Sequence, residues 1–115
     1  MSNILGTLGL CRKAGKLVFG FDSVAEEIKK PESKVCGVIL AADLSEKTVK
    51  EVSFICNKFS VPLCRCTETL SDFERVMGKR TGIIAVLDNG LYRSLIKNSN
   101  KLGDIESHQR NRNVR

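Results

Sequence analysis

The chain has 115 residues, 42% of them hydrophobic and 28% charged, and a net charge of +6. That length fits one domain, and that apolar content fills a core, which excludes disorder throughout. No apolar run reaches the ~20 residues of a membrane-spanning helix, and in MSNILGTLGLCRKAGK the cations follow the apolar stretch, the reverse of a secretory signal. A cytoplasmic protein with no membrane partner is therefore expected.

Along the chain, Ile4, Leu5, Leu8 and Cys11 follow helical spacing, and Gly15 can stop that helix. Leu17-Val18-Phe19 reads as a short strand. After Gly20, Val24, Ala25 and Ile28 repeat helically until Pro31 ends the run. The stretch from Val35 to Ala42 is apolar throughout, as expected of a strand covered on both faces in the middle of a parallel sheet. Ser45 can cap a third helix whose buried stripe is Val49, Val52, Ile55, Cys56 and Phe59. Pro62 to Cys66 reads as a strand nearer an edge, because proline cannot donate to a ladder. Thr69 and Asp72 resemble a capping box opening a fourth helix, with Leu70, Phe73, Val76 and Met77 apolar. Gly78 to Gly82 is a loop, Ile83 to Leu87 a second apolar strand, and Leu91, Leu95 and Ile96 mark a last helix.

Helices and strands thus alternate with short crossovers, which predicts an α/β fold, a three-layer α/β/α sandwich on a small mixed sheet. Residues 1–97 form one domain in this reading, and 98–115, poor in large apolar residues, a flexible basic tail. The five cysteines are odd in number and sit in apolar stretches, as small buried hydrophobes do. Cys64 and Cys66 would share one face of a strand, but no second pair accompanies them and His108 lies in the tail. No metal and no cofactor are expected.

Charge is distributed unevenly. Residues 1–21 carry +3 from Arg12, Lys13 and Lys16, residues 97–115 carry +3, and residues 22–96 hold eleven charges of each sign. A balanced body with basic ends suits a polyanion. The chain lacks a glycine-rich phosphate loop and a Ser/His/Asp set, so catalysis is not expected.

The segment LCRKAGKLVFGFDSVAEEIKK, residues 10–30, joins cations, a glycine and a helix start. Ser23 and Glu26 form an S-x-x-E pattern, so a capping box with the helix beginning at Asp22 or Ser23 is expected. A helix start also presents unpaired N–H groups and a partial positive charge that attract anions. Arg12, Lys13 and Lys16 would add to that field. Aromatic stacking on single-stranded bases is poorly provided for, since most Phe residues sit in apolar runs. Phe21 is the exception, expected as a hydrophobic staple on its helix.

Leu8-Gly9-Leu10, Lys13 to Val18 and Gly20, then Ala41 to Ser45 with Thr48 and Lys50, Met77-Gly78-Lys79, Ile83 to Val86 and Asp88-x-Gly90 occur in an order and spacing that resemble the kink-turn RNA-binding ribosomal protein superfamily, the large-subunit L-seven-Ae/L-thirty-e type, and within it a small bacterial branch. The match spans about residues 3–97. The resemblance implies non-catalytic binding of structured RNA, kink-turn-like or ribosomal, in the translation apparatus. In the family, a Gly-x-Asn-Glu-x-x-Lys signature opens the second helix and meets the guanines of sheared G·A pairs. Here Gly20 matches the glycine, while Asp22, Ser23 and Glu26 replace the asparagine, glutamate and lysine. Lys30 falls where another basic residue is frequent, and the second contact loop is Lys79-Arg80-Thr81. The expected RNA-binding set is Lys13, Lys16, Gly20, Asp22, Ser23, Lys30, Lys79 and Arg80. Asp22 can accept hydrogen bonds from a guanine edge, and the basic loop suggests backbone and shape readout. The alternative is a protein-interaction module of the translation machinery that reads no RNA directly.

Overall fold

A computed structural model describes residues 4–98 and 101–103. The elements run α1 (Ile4–Lys13), β1 (Leu17–Phe19), α2 (Phe21–Lys29), β2 (Gly37–Leu40), α3 (Glu46–Lys58), β3 (Leu63–Cys66), α4 (Leu70–Met77), β4 (Ile83–Val86), α5 (Asn89–Asn98) and β5 (Lys101–Gly103). The strands form one sheet in the order β1-β4-β2-β3-β5. β4 runs antiparallel to both β1 and β2, β2 pairs parallel with β3, and β5 pairs antiparallel with β3. The sheet is mixed, as expected, but β2 does not lie between parallel neighbours, because β4 enters between β1 and β2 in the opposite sense.

The uniformly apolar β2 and β4 are buried along their whole lengths. Their alternate side chains feed two cores. Ile39, Ala41, Ile84 and Val86 face α1, α4 and α5, where Ile4, Leu8, Cys11, Phe73, Met77 and Leu95 pack. Val38, Leu40, Ile83 and Ala85 face α2 and α3, where Val24, Ile28, Val49, Val52 and Cys56 pack. This two-sided burial builds the three layers, since each helix hides one stripe against a sheet that is apolar on both faces. Truncating a fully enclosed residue such as Leu8 to alanine would cost about 2–5 kcal/mol.

The packing leaves no room for side chains at two glycines. A Cβ on Gly37 would overlap the buried Tyr92 ring, and one on Gly82 would come within 2.6 Å of Leu70 Cδ2 and 2.8 Å of Leu44 Cδ1.

One expectation holds and two change. Pro62 does precede a strand, and its carbonyl accepts from the Val38 N–H at 2.9 Å. That strand, β3, lies nearer an edge than β2, with only β5 outside it. β5 lies in the segment read as tail, and three residues are too short for a periodic signal; positions 99, 100 and 104–115 of that segment lie outside the described residues. The α3 stripe also ends earlier than expected: Phe59 follows the helix as its C-cap and is exposed.

Candidate nucleic-acid interface

The registers bring four strand ends to one edge of the sheet. Phe19 of β1 pairs with Ile84, and Leu40 of β2 pairs with Ile83 and Arg65. The carboxyl ends of β1, β2 and β3 therefore meet the amino end of β4. α2, α3 and α4 all begin at this edge, beside the 78–82 loop. Backbone bonds tie its loops together: Gly20 N–H to the Ile83 carbonyl (3.1 Å), Ala41 N–H to Gly82 (2.9 Å), and Ala42 N–H to Glu68 (2.7 Å).

Two of the three helix starts are closed by side chains. Ser45 Oγ accepts from the Thr48 N–H at 3.3 Å. At α4, Thr69 Oγ1 accepts from the Asp72 N–H (3.2 Å), Asp72 Oδ2 accepts from the Thr69 N–H (2.9 Å), and Asp43 Oδ1 accepts from the Leu70 N–H (2.8 Å). The Thr69 backbone bond holds the Asp72 carboxyl below its ordinary pKa, with Arg75 at 2.6 Å adding to the effect.

The start of α2 is different. The expected Ser23–Glu26 box does not form. The helix begins at Phe21, Gly20 is the N-cap with φ 95° and ψ 144°, and no side chain caps it. Ser23 therefore sits third in the helix rather than before it. The cause is Gly20: its φ lies where L side chains are rarely found, and it turns the chain from strand to helix in one residue. The expected staple from Phe21 is absent for the same reason: Phe21 is the first helical residue and packs on the α2–α3 core. The first-turn N–H groups of α2 have no capping side chain, and Asp22 and Ser23 are exposed beside them.

The expected cations divide between the ends of the sheet. Lys79 belongs to the Gly20 edge, with Nζ 4.8 Å from the centre of the Phe19 ring. A cation over an aromatic face contributes about 0.5–1 kcal/mol at an exposed site and fixes where the ammonium stands. Arg80 is its neighbour and pairs with Glu74 at 3.4 Å. Arg12, counted in the basic amino-terminal segment but not in the expected site, also leans this way. Its Nη1 donates to the Val76 carbonyl at 3.3 Å, and its Nη2 lies 3.6 Å from the Cβ position of Gly78. Only the tertiary packing of α1 on α4 reveals this.

Lys16 is not brought to this edge, and Lys13 closes α1 three residues before Lys16. Lys16 precedes β1 and its carbonyl accepts from the Leu87 N–H at 2.9 Å, at the far end of β4. Four residue steps of extended chain lead from Lys16 to Gly20, about 13 Å at ~3.3 Å each. Lys30 is the C-cap of α2, the opposite end of that helix, and its Nζ pairs with Glu27 at 3.1 Å. Of the cations, Lys79 thus stands on Phe19 next to Gly20, Arg80 follows it in the chain, and Arg12 reaches Gly78 at the start of the same loop. Lys16 and Lys30 lie at the far ends of β1 and α2, because the strand order could not be read from charge.

Chemically, this edge offers amide donors, a carboxylate acceptor at Asp22, a hydroxyl at Ser23 and the cations of the neighbouring 78–82 loop, Lys79 and Arg80. Such a set suits an anionic ligand that also carries donor groups. Among the described residues, no three His, Cys, Asp or Glu side chains gather as metal ligands. Cys64 and Cys66 both belong to the core under α1 and α4. Cys66 Sγ–H donates to the Leu40 carbonyl at 3.3 Å, and burial pushes its thiol up to about 12.

Three comparisons bear on this site. The family model described as "Ribosomal protein L7Ae/L30e/S12e/Gadd45 family" matches residues 2–96. "RNA-binding protein YlxQ" of Bacillus subtilis (strain 168) is 37% identical over 90 residues, spanning 77% of this chain and 87% of that protein. The protein of the same name from Enterococcus faecium is 32% identical over 88 residues, 75% of this chain and 81% of its own length. A solved structure described as a protein with unknown function from Bacillus halodurans C superimposes with a TM-score of 0.75 at 26% identity, over 84% of this chain and 96% of that one.

Proposed function

Because the chain belongs to the ribosomal protein L7Ae/L30e/S12e/Gadd45 family, a family of binding proteins rather than enzymes, we propose that it binds folded RNA at the edge where α2 begins. The observation that carries this reading is the uncapped start of α2 at Gly20, with Lys79 held beside it against Phe19. The free first-turn amides receive a phosphate or a base acceptor. The Asp22 carboxylate accepts from the donor edge of a guanine, which carries N–H groups that a carboxylate matches. Lys79, Arg80 and Arg12 meet the phosphates on either side.

The RNA is a kink-turn-like or ribosomal fold in this reading. Glu26, exposed on α2 in place of the family's lysine, repels any phosphate that approaches the middle of the helix. The strand is thereby directed toward the 78–82 loop instead. The relatives named as RNA-binding proteins support the partner class.

The test is an electrophoretic or filter-binding titration with an RNA stem interrupted by tandem sheared G·A pairs. Asp22→Ala should weaken binding by about 10-fold, the value of one good carboxylate–base contact of 1–3 kcal/mol. A fully paired stem of the same length should bind more weakly than the looped one. Equal affinity of Asp22→Ala and the unaltered protein would remove α2 as the reading edge.

A further inference from the structure

Beside the start of α2 lies a surface that the RNA reading leaves unused. Phe21, Lys50, Glu51, Phe54 and Ile55 line an open cleft of about 510 Å³ between α2 and α3. Phe54 is 69% exposed. The core stripe of α3 is Val49, Val52 and Cys56, so Phe54 takes no part in holding the helix down. Lys47, Lys50, Phe54 and Lys58 follow one another at helical spacing, and all four are exposed. Among the described residues none of these three lysines makes an ion pair.

We propose that this cleft seats an unpaired base of the bound RNA, stacked on Phe54 against Phe21 and Ile55, with the lysine row of α3 carrying the adjoining phosphates. The inference rests on the RNA-binding reading and extends it from folded to single-stranded RNA. Two observations select this occupant. The first is charge: an aromatic ring set in a row of three exposed lysines, none of them ion-paired and one, Lys58, standing over the Phe59 ring at 5.8 Å, answers a chain with flat apolar faces and a negative backbone, which is single-stranded nucleic acid. An apolar partner helix would fill the cleft and leave the lysines unanswered. The second is continuity: Phe21 directly follows Gly20, so the cleft opens from the start of α2 where the folded part of the RNA docks. Glu51 is the single acid in the lining, and it disfavours a phosphate inside the cleft, which leaves that space to a base.

The experiment compares two RNAs, one a stem with an internal loop of tandem sheared G·A pairs and flush ends, the other the same stem with unpaired uridines at both ends. The unaltered protein should bind the extended RNA about 10-fold more tightly, as one stacked base allows. Phe54→Ala should erase that gain and leave the flush RNA unchanged; Phe54→Tyr should restore it, whereas Phe54→Leu, apolar without a ring, should not. Equal affinity of the unaltered protein for both RNAs overturns the cleft while leaving the RNA-binding reading in place. Equal loss of both RNAs in Phe54→Ala overturns it too, because the ring would then serve the main edge or the fold. Leu matching Tyr in the rescue means generic apolar contact and contradicts stacking. No binding of either RNA by the unaltered protein sinks the underlying reading together with the cleft.

Discussion

α2 and α4 begin at the same edge of one sheet, and each has a hydroxyl residue followed three positions later by an acid. At α4 the pair closes on itself: Thr69 and Asp72 exchange hydrogen bonds, and Asp43 reaches across from the β2–α3 loop to take a further N–H. At α2 the pair Ser23 and Glu26 lies inside the helix, and the start is left to Gly20 without a capping side chain. A closed start has spent its donors on its own chain, and an open one keeps them for a partner. The difference teaches that a positive helix end becomes a candidate site through what fails to cap it, and that nearby cations matter only when the fold brings them there.

The comparison can be broken first at Gly20. Gly20→Ala puts a side chain where φ is 95°, which should cost roughly 1–3 kcal/mol in urea denaturation. No atom crowds the new Cβ, so the cost is conformational. The same variant should bind RNA more weakly even where it is fully folded. Unaltered stability would mean that the turn tolerates other residues and that the open start is incidental.

Thr69→Ala should lower stability by about 1 kcal/mol through loss of the box, with RNA affinity unchanged. Ser23→Ala should do the reverse, moving stability by less than about 0.5 kcal/mol while weakening RNA binding. Similar stability losses in the two variants would erase the distinction between the helix starts.

The cations sharpen the contrast on a smaller scale. Lys79→Ala and Arg80→Ala should each reduce the slope of log affinity against log salt by about 1. Lys13→Ala and Lys16→Ala, at the far end of β1, should leave that slope nearly as it was. Slopes that fall equally in all four variants would mean diffuse attraction instead of a localised edge.

The smallest expected effect is a pH dependence confined to α4. The Asp72 carboxyl sits below its ordinary pKa in the folded protein, so its contribution is present above about pH 4 and is lost as pH falls through the lowered value. Asp72→Asn should flatten that part of the acid stability profile. A profile unchanged by the substitution would mean that the box bond does not favour the charged form.

Much of the framework was legible in local pattern. The unbroken apolar runs of β2 and β4 announce strands covered on both faces, and Ser45 and Thr69–Asp72 announce helix starts that do form. What escaped depends on distant parts of the chain. Whether Ser23 caps a helix is decided by Gly20, whose N–H is fixed by Ile83, sixty-three positions away. Whether Lys16 or Lys79 stands near Gly20 is decided by the insertion of β4 between β1 and β2. Arg12 reaches Val76 and Gly78 only because α1 packs on α4, and Phe54 is exposed because the core stripe of α3 is satisfied without it. β5 was missed because three residues carry no period.

The central claim is that RNA docks on the open start of α2. Amide chemical-shift mapping by NMR during titration with the looped RNA stem tests it most directly. The largest shifts should fall on Phe21, Asp22, Ser23 and Lys79, with small ones at Leu70 and Thr48, whose N–H groups are already bonded. Largest shifts around Lys16 and Leu87 at the other end of the sheet, with Phe21 to Ser23 unmoved, would contradict it.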